Sequence, residues 1–146
     1  DMWNSDKIPI ANEYRIGAYI YNDRSLMAQK NCAVNDCALT VLATVISTPN
    51  PNRAIIDAGS KVLTSDLFGL EGYGEIVGNS SLIISQLSEE HGCITANMPT
   101  RLNIGEKIRI IPNHACVVSN MLDHILLVQG GKVIGTEKVV ARGHVW

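Results

Sequence analysis

The stretch Ile110-Ile111-Pro112-Asn113-His114-Ala115-Cys116-Val117-Val118 sets an imidazole two residues ahead of a thiol. Continued as a strand, it sends His114 and Cys116 to one face, because side chains repeat every second residue. An imidazole nitrogen beside a thiolate sulfur suits zinc, a borderline-soft ion that takes nitrogen at about 2.0–2.1 Å and sulfur at about 2.3 Å. Two protein ligands do not close a structural site, which takes four, so the pair points to an open metal position completed by water or substrate. The plainer alternative is a partly buried histidine beside a core cysteine, and the motif alone does not choose between them.

Other reactive residue types have simpler readings. Lys61 in Asp57-Ala58-Gly59-Ser60-Lys61 follows a short strand and reads as a solvated or structural lysine. Ser88-Glu89-Glu90-His91-Gly92 offers two carboxylates and an imidazole, types that do acid–base work, but adjacent glutamates project in different directions and a turn explains them. His91 is a candidate support for the metal pair. His124 stands at a strand entrance and His144 near the chain end, both read as surface residues. Cys32, Cys37 and Cys93 lack Cys-x-x-Cys spacing and read as buried small hydrophobes, and Gly72-Tyr73-Gly74 lacks the strand, third glycine and helix of a phosphate loop.

The elements that must carry these residues are mostly strands. Tyr14 to Tyr21 is aromatic and β-branched and predicts a strand. Asn22 or Asp23 caps a short helix over Arg24 to Lys30, the one helix the sequence predicts. Ala38 to Thr48 alternates with period two and predicts a long strand covered on both faces, stopped by Pro49-Asn50-Pro51-Asn52. Short strands follow at Arg53 to Asp57, Glu75 to Val77, Leu82 to Leu87, Cys93 to Ala96 and Lys107 to Ile111. Ile125 to Val128 and Val133 to Val140 flank Gly130-Gly131, whose freedom at positive φ predicts a tight hairpin. The pattern predicts a single all-β unit, a barrel or sandwich.

Composition narrows the function classes. The chain has 146 residues, enough for one domain with a sizeable core. With 12 basic and 14 acidic residues and a net charge of −2, it has no basic footprint for nucleic acid. The most apolar run, Ala38 to Ile46, is interrupted by Thr40 and Thr44 and is too short for a transmembrane helix, and no signal-peptide layout opens the chain. A soluble, cytoplasmic protein with four free thiols is expected. The chain starts at Asp1 rather than methionine and reads as a fragment of something longer.

Taken in order, Asp36-Cys37-Ala38-Leu39-Thr40-Val41-Leu42-Ala43-Thr44-Val45, Asp57-Ala58-Gly59-Ser60-Lys61, Leu87-Ser88-Glu89-Glu90-His91-Gly92 and the Pro-Asn-His-x-Cys stretch resemble the C-terminal domain of the D-serine dehydratase and D-threonine aldolase family. The resemblance runs from about Tyr14 to Arg142. It implies a barrel-like β-domain of the alanine-racemase type, preceded in the intact enzyme by an α/β barrel. That barrel carries the pyridoxal phosphate lysine, the phosphate-binding loops and the base for the α-proton. Residues 1–146 would then be a single C-terminal β-domain without the barrel, inactive alone, and no catalytic residue is assigned here.

By the same resemblance, His114 and Cys116 fall on the family's metal ligands. His-x-Cys goes with zinc and the dehydratase branch, His-x-Asp with manganese and the aldolase branch. The implied substrate is a D-3-hydroxy amino acid, foremost D-serine, its hydroxyl held by zinc while the pyridine ring serves as electron sink. A homodimer is implied for the full-length enzyme. The alternatives are a D-threonine aldolase of the same family and a non-catalytic β-module for interaction or dimerisation.

Overall fold

The computed structural model describes residues 10, 12–13 and 17–144. Six strands form one antiparallel sheet in the order β3-β6-β1-β2-β5-β4, from β1 (Val41–Asn50), β2 (Arg53–Ile56), β3 (Glu75–Ile76), β4 (Ile83–Leu87), β5 (Gly92–Thr95) and β6 (Lys107–Ile111). The two edge strands approach each other, and Tyr73 N–H donates to the Ile84 carbonyl at 3.0 Å, so the sheet nearly closes into a barrel. Gly72 makes that seam possible. Its φ is +75°, and a Cβ there would lie 2.9 Å from Ile83 Cγ2 and 3.0 Å from the Ile84 carbonyl oxygen.

Strand alternation fills the barrel. Val41, Ala43 and Val45 of β1 face inward and meet Ile56, Ile84, Ile94 and Ile110 from the neighbouring strands. The register Val41↔Ile110, Ala43↔Ile108 and Ala54↔Ile94 sets small residues beside large ones, so the side chains interdigitate. The outward side of β1 is not covered as the sequence predicted: Leu42 is 65% exposed and Ile46 40%. One face of β1 packs and the other looks to solvent, as in many antiparallel sheets. The prolines do not stop β1 either. The strand continues through Pro49 to Asn50, and Pro51-Asn52 form the turn, with Asn52 N–H on Asn50 Oδ1 at 3.0 Å.

Helix α1 (Arg24–Ala28) forms at the expected place, with Asp23 as N-cap accepting from Leu26 N–H at 3.1 Å. Two helices were not expected. α2 (Ser60–Leu63) has its first N–H groups satisfied by the β4–β5 turn, Ser60 N to the Ser88 carbonyl at 2.8 Å and Lys61 N to that of Glu89 at 3.1 Å. α3 (Ala115–Met121) takes in Val117 and Val118, which read as strand formers; Val118 is buried in the barrel end, and packing overrides propensity. Tyr14, Arg15 and Ile16 of the first expected strand lie outside the described residues. Its remainder is a 3-10 turn over Ala18–Ile20, because the main chain there folds back, Asn22 N–H bonding the Ala18 carbonyl at 2.8 Å, and meets no ladder.

The terminal hairpin, β7 (His124–Gln129) and β8 (Lys132–Lys138), forms a separate two-stranded sheet. Gly130 and Gly131 take φ of 56° and 76°, the pair of positive angles its tight turn requires. No helix among the described residues is long and apolar enough to cross a membrane.

Candidate metal site at the start of helix α3

The chain turns a corner between β6 and α3, and five residues fix it. Pro112 ends the strand. Asn113, 1% exposed, donates through Nδ2 to the Asp66 and Gly72 carbonyls, both at 2.9 Å, and its Oδ1 accepts from Arg24 Nη1 at 3.1 Å. Arg24 also donates to the Glu71 carbonyl at 2.7 Å. From α1, Arg24 N–H and Ser25 N–H reach the Pro112 and Asn113 carbonyls at 3.1 and 3.3 Å. Asp23, equally buried, extends Oδ2 to the Ala115 N–H at 3.0 Å and caps α3 from outside it.

His114 is the N-cap residue of α3, in extended conformation at φ −138° and ψ 98°, and Cys116 lies in the helix's first turn. The strand argument for a shared face therefore does not apply: the segment is extended only as far as His114, where Asp23 starts a helix. The structure places the imidazole at the N-cap and the thiol two residues on, in the first turn of the same helix. His114 Nδ1 lies 3.1 Å from Asp66 Oδ2, and its ring stands edge-on to Phe68, centroids 4.9 Å apart at 85°. Nδ1 is thus engaged, which leaves Nε2 as the ring nitrogen for an outside partner. Cys116 is exposed as a residue, while burial around its sulfur pushes the thiol pKa up and the Asp23 charge adds to it.

Two donors alone do not close a metal site, which takes four ligands. Among the described residues no cluster of three or more His, Cys, Asp or Glu side chains surrounds a common point. The ligand types, nitrogen and sulfur, are those of zinc, with remaining positions left to water or substrate. A surface depression of about 370 Å³ bordered by Ile76, Asn79, Leu102, Glu106 and Arg109 includes neither residue in its lining.

The other reactive residues stand elsewhere. Lys61 is exposed and paired with Glu89 at 3.0 Å and Glu90 at 2.6 Å; bonding to Glu90, then Glu89, raises its pKa, the wrong direction for a lysine that must offer a free amine. His91 closes the β4–β5 turn through its main chain, its carbonyl accepting from Ser88 N–H at 2.8 Å. His124 starts β7 opposite Lys138 and is exposed. All four cysteines are free thiols; Cys93 is buried and receives Arg53 Nε at 3.0 Å, whereas Cys32 and Cys37, expected to be buried, are only half-buried. Sequence reasoning offered Asp23 as a cap for α1 but missed its reach to α3, and it missed Asp66 and Phe68 altogether. Asp66 lies 48 residues before His114 in a loop with no motif, so nothing local signals it.

A family model described as "Putative serine dehydratase domain" matches residues 38–128, well over half of the chain. The chain belongs to that family. Two relatives bracket the chain in size. An uncharacterized protein of Mycobacterium bovis is 36% identical over 121 residues, covering 77% of this chain and 89% of that protein. D-serine dehydratase of Dictyostelium discoideum is 32% identical over 142 residues, covering 87% of this chain but 36% of the enzyme. Among solved structures, the D-threonine aldolase of Filomicrobium marinum superposes with TM-score 0.78 at 32% identity, over 94% of this chain and 38% of that one. The D-threo-3-hydroxyaspartate dehydratase of Delftia sp. HT23 has TM-score 0.78 at 27% identity, over 89% and 38%. Structures of the Delftia enzyme include alanine variants of a histidine and of a cysteine two positions after it, the cysteine variant in a metal-free form. The chain thus spans little more than a third of the enzymes it matches and nine-tenths of the mycobacterial protein.

Proposed function

We propose that the chain is the metal-binding β-domain of a pyridoxal-phosphate-dependent lyase for D-3-hydroxy amino acids, a D-serine dehydratase in the first place. One observation carries the reading: His114 and Cys116 stand two residues apart at the start of α3, the spacing of the histidine and cysteine replaced in the Delftia dehydratase variants. In this reading residues 1–146 form one C-terminal domain, an α/β barrel outside them carries the cofactor lysine, the enzyme is a cytoplasmic homodimer, and the domain alone does not turn over substrate.

When bound, zinc supplies Lewis-acid polarisation of the substrate hydroxyl, and pyridoxal phosphate supplies the electron sink. His114 offers Nε2, since Nδ1 lies 3.1 Å from Asp66 Oδ2. Cys116 offers the soft donor that favours zinc over manganese, the harder ion. Asp23 and Asn113 hydrogen-bond the corner that carries both residues, and Phe68 meets the imidazole edge-on.

Two alternatives each have an observation behind them. The Filomicrobium aldolase covers 94% of the chain at 32% identity, which favours D-threonine cleavage with a divalent ion. The mycobacterial protein is little longer than the matched region, which favours a stand-alone β-module. Zinc and manganese content and turnover of D-serine against D-threonine, measured on the full-length protein with and without Cys116→Ala, separate the three. Loss of zinc together with dehydratase turnover supports the proposal. Full zinc and full activity in Cys116→Ala overturn it.

A further inference from the structure

We propose that Asp66 is a positioning residue for His114: its carboxylate fixes the imidazole in the Nδ1–H tautomer and aims Nε2 outward, with Phe68 as the wall that stops the ring from turning. The value of this arrangement to a metal rests on the reading above, but the tautomer assignment does not.

The geometry carries the inference. A carboxylate oxygen accepts and cannot donate, so at 3.1 Å from Asp66 Oδ2 the neutral ring must carry its proton on Nδ1. The lone pair then sits on Nε2. In free histidine the Nε2–H tautomer dominates in water, so this loop holds the ring in the minor form. Metal-ligating histidines characteristically give their other N–H to a carboxylate or carbonyl, which sets ring orientation and raises ligand basicity.

The loop is built for the task. Phe68 adopts φ +50°, in the left-handed region that bulky residues seldom enter, and Gly69 follows at +72°. Leu70 N–H closes the turn on the Leu67 carbonyl at 2.8 Å. Phe68 is nevertheless 57% exposed, so burial of its ring does not explain the strain; the edge-on contact with His114 is what the conformation secures. The loop is also held independently of the Asp66 side chain, since it is the Asp66 carbonyl that receives Asn113 Nδ2. Removing the carboxylate therefore leaves the corner standing.

Two measurements on the chain test this. Nitrogen-15 NMR of His114, at a pH where the ring is neutral, should show protonated Nδ1 and bare Nε2 in the wild type. Asp66→Ala should move the ring toward Nε2–H, and Asp66→Asn, whose amide oxygen still accepts, should restore much of the wild-type pattern. A wild-type ring protonated on Nε2, or a tautomer unchanged in Asp66→Ala, overturns the proposal. Zinc affinity, read by competition with a chromophoric chelator, should fall about 10–100-fold in Asp66→Ala and less in Asp66→Asn. Binding that depends on His114 and ignores Asp66 also overturns it. Zinc binding insensitive to His114→Ala instead refutes the metal reading, and the tautomer measurement then still decides the role of Asp66.

Discussion

Asp23 Oδ2 accepts the Ala115 N–H at 3.0 Å, across 92 residues of sequence, while Oδ1 of the same carboxylate accepts Leu26 N–H at 3.1 Å. One buried side chain thus starts both α1 and α3. A cap is worth ~1 kcal/mol, so Asp23→Ala should lower unfolding stability by about 2 kcal/mol in urea titration. Asp23→Asn keeps one acceptor oxygen and should fall between. Hydrogen exchange should accelerate at both Leu26 and Ala115 in Asp23→Ala; acceleration at Leu26 alone would contradict the shared cap.

Gly72 and Gly130 separate strain from collision. Both have positive φ, 75° and 56°, but a Cβ on Gly72 meets Ile83 and Ile84 while one on Gly130 meets open space. Gly130→Ala should cost about 1–2 kcal/mol from the left-handed conformation alone. Gly72→Ala should cost clearly more and loosen the seam between β3 and β4. Equal losses in denaturant titration would mean that the seam tolerates a methyl group.

Cys37 sets an alkaline limit. Burial, followed by the neighbouring Cys32, pushes its thiol from an ordinary 9.0 up to about 12. Between those values the folded chain holds a proton that the unfolded chain has released, so stability falls as pH rises through that window and is independent of this group below it. Cys37→Ala should flatten the alkaline decline of the urea midpoint. An unchanged slope would remove Cys37 as its cause.

Cys116→Asp replaces a soft donor with a hard one. In the full-length protein it should lower the zinc-to-manganese ratio at equilibrium, because carboxylates suit manganese and thiolates suit zinc. Metal analysis after dialysis against both ions checks this; an unchanged ratio would show that Cys116 does not select the ion.

Elements governed by neighbours in sequence were legible, and those governed by distant partners were not. β6 runs from Lys107 to Ile111 as its pattern predicts, the Gly130-Gly131 hairpin follows from two glycines, and α1 follows from Asp23. α2 and α3 begin where carbonyls of Ser88 and Glu89, or the carboxylate of Asp23, meet their first N–H groups, partners that no local window contains. Val117-Val118 therefore read as strand although they lie in a helix. At the site, His114 and Cys116 were legible as residue types with a spacing. Asp66 was not, because its role exists only after the loop over residues 64–74 has folded against the corner.

The family match begins at residue 38, beyond the segment that holds the corner. A minimal domain cut there would retain all six barrel strands and the terminal hairpin, yet it would strip the Ala115 N–H and Asn113 Oδ1 of their partners, Asp23 and Arg24. Strand boundary and corner boundary do not coincide in this chain: all six barrel strands lie after residue 38, whereas Asp23 and Arg24, which hold the corner that carries His114 and Cys116, lie before it.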